Sequence, residues 1–203
     1  MRIHGLGTLS LVAFAAAGIA IAADAGAASR EEIQQRASQI FGVLPAEAVS
    51  AENPVTPEKI ELGRHLYFEP RISISRKHSC NSCHGLPTFG VDNEPTSVGH
   101  DGQRGARNSP TVYNAALHFA QFWDGRAPNV EEQAKGPFLN PVEMGMPSPE
   151  VVNQRLAEIP GYAPLFAAAF PGEQDPITYD NFAKAVGAFE RRLVTPSRFD
   201  EFL

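Results

Sequence analysis

Cysteine is scarce in this chain: 203 residues contain 2, and both fall within residues 80–84. Two cysteines three apart are a poor staple, so a disulfide-built scaffold is excluded. Nor can they complete a four-ligand structural zinc site unless histidines elsewhere contribute. Positive charge is also short. The 17 Lys and Arg stand against 23 Asp and Glu, a formal net charge of −6. That balance argues against a nucleic-acid partner and is compatible with a basic protein partner. No segment of strand length alternates with period two, so the βαβ setting of a thioredoxin-like cysteine pair is missing. No internal repeat is evident, and no low-complexity tract follows the first residues.

What the start does contain is a targeting pattern. Arg2 and His4 make a short basic opening, and Leu9 to Ala22 is apolar and uncharged. Ala20-Ile21-Ala22 offers a cleavage site, with a second at Ala25-Gly26-Ala27. We therefore expect residues 1–22 to be a signal peptide, with cleavage as late as residue 28. The run is short for a transmembrane helix and small residues follow it, although an uncleaved anchor is the alternative. Export implies an extracytoplasmic compartment, read here as the bacterial periplasm. The remaining chain, about 175–180 residues, is enough for one domain with a core, expected over residues 29–203. No membrane span is expected once the signal is removed.

Residues 80–84 read Cys-Asn-Ser-Cys-His. This C-x-x-C-H pattern is the attachment site of a c-type haem. The thiols of Cys80 and Cys83 add across the porphyrin vinyl groups, and His84 reaches the iron as proximal ligand. Export agrees with it, because c-type haem is attached outside the cytoplasm. The cofactor brings its iron chemistry; the protein supplies binding, orientation and electrostatics.

The organisation is helical. Ser29-x-x-Glu32 is a capping box ahead of Ile33, Ala37, Ile40 and Phe41, and Gly42 ends that helix. Thr56-Pro57 starts a second, with Ile60, Gly63, Leu66 and Tyr67 toward the core and Pro70 as a stop. Ser148-Pro149 starts another, carrying Val152, Leu156 and Ile159 before Pro160-Gly161. Thr178 caps the last, on which Phe182, Val186, Phe189 and Leu193 make one stripe. The long stretch from Gly85 to Pro147 is rich in Gly, Pro, Asn and Asp, with only short helical pieces expected. Its apolar anchors, Phe89, Val91, Val112, Tyr113, Leu117, Phe119, Phe122 and Trp123, argue for an ordered wrap over the haem pocket. The fold class is all-α.

The second axial position decides what such a haem does, since two protein ligands favour electron transfer and an openable site binds small molecules. His78 is too close to the thioether pair to reach the opposite face. His65 lies on a helix beside Arg64, where a solvated or propionate-pairing role fits. His118 reads as a satisfied histidine, and His100, in a glycine-flanked loop, can be a ligand or a plain loop residue. Met144 and Met146 are either thioether ligands or gap-filling side chains beside the porphyrin. Glu143 is either a surface carboxylate or, if it faces the pocket, a general acid/base. Trp123, the single tryptophan, packs on the haem or relays electrons.

Taken together, the chain resembles the bacterial di-haem cytochrome c peroxidases, a group that includes the MauG-type enzymes. The matching pieces include Leu62-Gly63-Arg64-His65-Leu66-Tyr67-Phe68-Glu69-Pro70-Arg71, the haem motif with Ser79, and Pro95-Thr96-Ser97-Val98-Gly99-His100. Gly105-Ala106-Arg107-Asn108-Ser109-Pro110, Gln121-Phe122-Trp123-Asp124-Gly125-Arg126, Asn140-Pro141-Val142-Glu143-Met144 and Thr195-Pro196-Ser197-Arg198-Phe199-Asp200 continue it. The resemblance runs from about residue 50 to the end and implies a cytochrome c-like haem domain with long ordered loops. It implies that hydrogen peroxide is reduced to water at this haem, with electrons from a small cytochrome c or copper protein. Cys80, Cys83 and His84 then bind the cofactor, and His100 becomes the distal ligand that leaves on activation. Glu143 matches the acid/base residue, Gln133 a polar neighbour of peroxide, and Trp123 the aromatic between two haems. Asn108 matches a side chain of a calcium site, Met144 becomes pocket lining, and a homodimer is a further expectation. A MauG-like oxidase is disfavoured, because that group usually replaces the distal histidine.

Members of the group carry a second haem domain with its own C-x-x-C-H, whereas these 203 residues contain the motif once. A fragment, a truncated product and a subunit borrowing its second haem are all compatible with that. The alternative function is then a mono-haem electron-transfer module without peroxidase activity, locked with His84 and His100 both on the iron.

Overall fold

A computed structural model describes residues 28–203. The expected signal segment lies outside the described residues. The chain divides into two units, one ending at Phe41 and one spanning Gly42–Leu203. In the first, helix α1 covers Arg30–Phe41. Its capping box forms as expected: Glu32 N–H donates to Ser29 Oγ at 3.1 Å, and Ser29 N–H to Glu32 Oε2 at 2.8 Å. Gly42, at φ +70°, terminates it in the left-handed conformation open to glycine. α1 buries none of its residues, and Ile33, Ile40 and Phe41 are exposed.

The second unit is built from α2 (Pro57–Tyr67), α3 (Cys80–Cys83), α4 (Val130–Leu139), α5 (Pro149–Glu158), α6 (Tyr162–Ala169), α7 (Tyr179–Glu190) and α8 (Arg198–Phe202). Among the described residues there is no strand, only two isolated bridges, Val98 with Arg104 and Gln121 with Ala127. The class is all-α. Helix starts follow side-chain chemistry: Thr56, Asn129, Ser148 and Thr178 each accept a backbone N–H three residues on.

α7 is the axis of the core. Phe182, Val186, Ala183 and Ala185 are fully buried, and around them pack Leu62 and Leu66 of α2, Phe138 of α4, Val152 and Leu156 of α5 and Phe166 of α6. Each large apolar side chain taken from water contributes about 1.5–3 kcal/mol. α2 and α7 cross in near contact at Gly63, where an added Cβ would lie 1.9 Å from the Ala185 carbonyl oxygen. A second glycine contact lets α7 meet α4, since a Cβ on Gly187 would be 2.8 Å from the Glu131 carboxyl. Glu131 in turn forms a buried, two-pronged pair with Arg191, Nε to Oε1 and Nη2 to Oε2 both at 2.9 Å. Asn53 Nδ2 adds 2.8 Å to Oε1.

The helices differ from the sequence pattern in detail. Within the 85–147 stretch, expected to hold only short helical pieces, α4 runs for 10 residues and continues through Gly136 and Pro137. Its last carbonyls are taken by the following segment, Pro137 O by Met144 N–H and Phe138 O by Met146 N–H. α6 has no side-chain cap: Gly161, at φ +98°, both closes the turn after α5 and opens α6. On α7 the stripe holds for Phe182, Val186 and Phe189, but the helix ends at Glu190 and Leu193 lies beyond it.

Candidate haem site

The one-turn helix α3 sets the thiols. Ser79 N–H donates to Ser82 Oγ at 3.0 Å, and His84 N–H to Cys80 O at 2.9 Å. Positions three apart share a helix face, so Cys80 and Cys83 both open onto the same cavity, of about 500 Å³. No disulfide joins them. Beneath them a small cluster of Tyr67, Val112 and Phe189 supports the turn, with Cys80 and Leu86 packed against it. Burial pushes the Cys80 thiol strongly up, with the charge of Glu190 adding to it. Burial also raises Cys83, partly offset by a hydrogen bond to Ser97.

His84 faces the same cavity. Its Nδ1 pairs with the Pro110 carbonyl at 2.9 Å, and its own carbonyl accepts the Tyr67 hydroxyl at 2.5 Å. A carbonyl can only accept, so Nδ1 carries the proton and Nε2 is left with its lone pair. Burial lowers the ring's pKa, against the opposing pull of its backbone hydrogen bonds, and the neutral form is the one that binds a metal. Two thiols on one helical turn, an oriented neutral imidazole and a largely apolar cavity fit a covalent haem.

The wrap from Gly85 to Pro147 supplies the opposite walls, as expected. Ser97, Val98 and Gly99, the 104–112 segment, Phe122, Trp123 and Arg126 all line the cavity. Glu143 and Gln133 enter it from the 140–144 segment and from α4, Gln133 being followed along that helix by Ala134, Pro137 and Phe138. Burial raises the Glu143 carboxyl, with Arg126 and Asn140 pulling the other way. Asn140 Nδ2 donates to its Oε1 at 2.7 Å. Trp123 lines the mouth, 64% exposed, with Nε1 donating to Asn108 O at 2.8 Å. Its neighbour Phe122, at φ +64°, lies under the Arg126 guanidinium at 3.4 Å from the ring centroid. Met144 is buried and lines the cavity; Met146 is buried away from it, its sulfur facing Arg155.

His100 is not among the lining residues. Its Nε2 pairs with Pro141 O at 2.9 Å, its backbone N–H donates to Glu143 O at 2.9 Å, and its ring lies over Gly145. Gly99 beside it is seated so tightly that a Cβ would fall 1.6 Å from Val142 O. Asn108 Nδ2 donates to Glu94 O at 2.7 Å. Among the described residues no group of three or more His, Cys, Asp or Glu is placed to hold a metal ion. His65 is exposed and pairs with Glu61, His118 is exposed, and His78 lines the cavity beside Cys80. Glu190, at the end of α7, lines the cavity and was not among the candidates drawn from the sequence. No local pattern marks it, since a charged residue near a helix end is ordinarily exposed.

Comparison with known proteins gives a family. A family model described as "Di-haem cytochrome c peroxidase" matches residues 57–203. Cytochrome c551 peroxidase of Pseudomonas aeruginosa is 47% identical over 178 residues, covering 87% of this chain and 51% of that protein. Methylamine utilization protein MauG of Methylorubrum extorquens is 44% identical over 143 residues, covering 70% of this chain and 40% of its own length. Among solved structures, a MauG-like protein associated with microbial copper homeostasis superposes with a TM-score of 0.72 at 30% identity, covering 79% of this chain and 47% of that one. The chain thus spans about half the length, or less, of these relatives.

Proposed function

This chain belongs to the di-haem cytochrome c peroxidase family, and from that premise we propose that its cavity is a haem site for reducing hydrogen peroxide to water. The observation that carries the reading is convergence. Glu143 and Gln133 open onto the same cavity as Cys80, Cys83 and His84.

Cys80 and Cys83 would hold the haem covalently, and Nε2 of His84 would take its iron. When bound, the haem supplies an iron that passes electrons to peroxide. Glu143, raised by burial, would accept a proton from hydrogen peroxide and return it to the departing oxygen, so that water leaves instead of hydroxide. Asn140 fixes the carboxyl's direction through its bond to Oε1. Gln133 offers an amide to the substrate oxygens, and Trp123 at the mouth is the path for incoming electrons. Two electrons and two protons balance each peroxide, the electrons coming from a small cytochrome c or copper protein. Periplasmic location, a homodimer and a calcium ion at the Asn108 side-chain oxygen belong to the same proposal.

His100 as second ligand requires the 97–105 loop to give up its bonds to Pro141 and Glu143 and the seat of Gly99. Those bonds hold the His100 ring on the 140–145 segment, while Glu143 lines the cavity. That arrangement favours a peroxidase over a carrier locked by two histidines. The test is Glu143→Gln in the haem-loaded protein. Peroxide turnover with a reduced donor should fall by about 10²–10⁴-fold, the contribution of a positioned acid/base, with an unaltered haem spectrum. Retained turnover removes Glu143 from the mechanism, and no turnover in the parent protein favours the carrier.

A further inference from the structure

Glu190 ends α7 and Arg191 caps it, two adjacent residues of opposite charge that the fold separates. Arg191 spends Nε and Nη2 on Glu131 and Nη1 on Ala48 O at 3.3 Å. Glu190, only 5% exposed, makes no side-chain hydrogen bond or ion pair among the described residues. Its side chain forms part of the cavity wall, one helical turn beyond Val186, which lines it too. The titratable groups within reach of its charge are the Cys80 thiol on α3 and the Tyr67 hydroxyl on α2, both kept neutral chiefly by burial. Glu131 on α4 repels its charge, and Arg191 on its own helix attracts it weakly because Glu131 already neutralises that guanidinium. An unpaired carboxylate inside a protein is costly, and the group avoids the cost by keeping its proton.

We propose that Glu190 is the redox-linked proton site of this cavity, taking up one proton when the bound haem gains an electron and releasing it when the electron leaves. The inference rests on the haem-binding part of the functional reading, not on peroxidase activity. The electron comes from whatever reductant serves the haem, and the proton from solvent, so charge inside the cavity is conserved across the step. Coulomb's law sets the direction. Reduction removes one positive charge from the iron, which strengthens the hold of a nearby carboxyl on its proton. Burial, followed by repulsion from Glu131, pushes Glu190 up to about 8 before any cofactor charge acts. The exchange therefore falls near neutral pH. Glu143 differs: it is hydrogen-bonded to Asn140 and drawn on by Arg126.

The experiment is spectroelectrochemical titration of the haem-loaded protein between about pH 5 and pH 9.5, bracketing the carboxyl range, for the parent and Glu190→Gln. The parent's midpoint potential should fall as pH rises through neutrality. Glu190→Gln should lose that step and hold the parent's low-pH value throughout. A parent potential that is flat, or a step that survives in Glu190→Gln, overturns the proposal. A parent chain that attaches no haem overturns the functional reading and this inference with it, and a haem stain of the denatured protein reports that separately. Should Glu190→Gln fail to accumulate, redox-difference infrared spectra of Glu143→Gln decide. Gain of a protonated-carboxyl band on reduction supports Glu190, and its absence overturns it.

Discussion

At the scale of single residues, charge placement governs both stability and chemistry. Burial would raise Glu131, but hydrogen bonds from Arg191 and Asn53 outweigh it and hold its carboxyl below the ordinary value. Glu131→Ala would strand Arg191 without its partner inside the protein. A loss of about 3–5 kcal/mol is expected, read from denaturant unfolding. Glu190 works in the opposite sense. Its folded pKa, about 8, lies above the ordinary 4.5, so the folded state binds more protons than the unfolded one across that interval. Stability should therefore decline as pH rises from about 4.5 to about 8, and Glu190→Gln should abolish the decline. Glu131 contributes on the acid side, where stability is lost as pH falls through its depressed value. Cys80, Cys83 and His84 were legible as a haem motif because the chemistry is local in sequence. Glu190 was not, because only the course of Arg191 toward Glu131 shows which carboxylate holds the arginine.

At the scale of elements, helix starts were the most legible feature, since a cap is a contact between residues three apart. Thr56, Ser148 and Thr178 were expected as caps and act as caps. Thr56→Ala should cost about 1 kcal/mol in thermal or chemical unfolding. Close helix approach was not legible, because it depends on what lies opposite a glycine. Gly63→Ala places a Cβ 1.9 Å from Ala185 O, and backbone cannot yield as a flexible side chain can. We expect α2 and α7 to be forced apart, with a loss of at least about 1–3 kcal/mol, measurable as a lower denaturation midpoint. α4 was hidden for a related reason. It lies in the Gly- and Pro-rich 85–147 stretch, where Gly136 leaves room for the Phe122 ring, 3.0 Å from where a Cβ would be.

At the scale of the whole molecule, the position of the 97–105 loop relative to the 140–145 segment matters most. His100 rests on Gly145, at φ +69°, where a Cβ would meet its Nε2 at 2.4 Å. Gly145→Ala should dislodge the ring. With His100 as second ligand, the haem spectrum should move toward six-coordinate low-spin and peroxide turnover should fall. His100→Ala in the same background should cancel the spectral change; an unmoved spectrum in Gly145→Ala removes His100 as a ligand. Large apolar side chains also stay exposed between Leu117 and Trp123, with Phe119 fully so. Exposed apolar surface of this kind marks interaction sites, and it adjoins the cavity mouth at Trp123.

The amino-acid order by itself determined the helical class, the caps and the covalent haem motif, because each depends on residues within a turn or two of one another. Its likeness to the peroxidases named Glu143, Gln133, Trp123 and His100 together. Only the tertiary structure decided that Glu143 and Gln133 enter the cavity while the His100 ring lies outside it. It alone separated Glu190 from Arg191, leaving one carboxyl paired in the core and one unpaired in the cavity wall. Those outcomes rest on contacts between segments far apart in the chain, chiefly the two glycine-mediated helix contacts of α7 and the seating of Gly99 on Val142, and no local pattern encodes them.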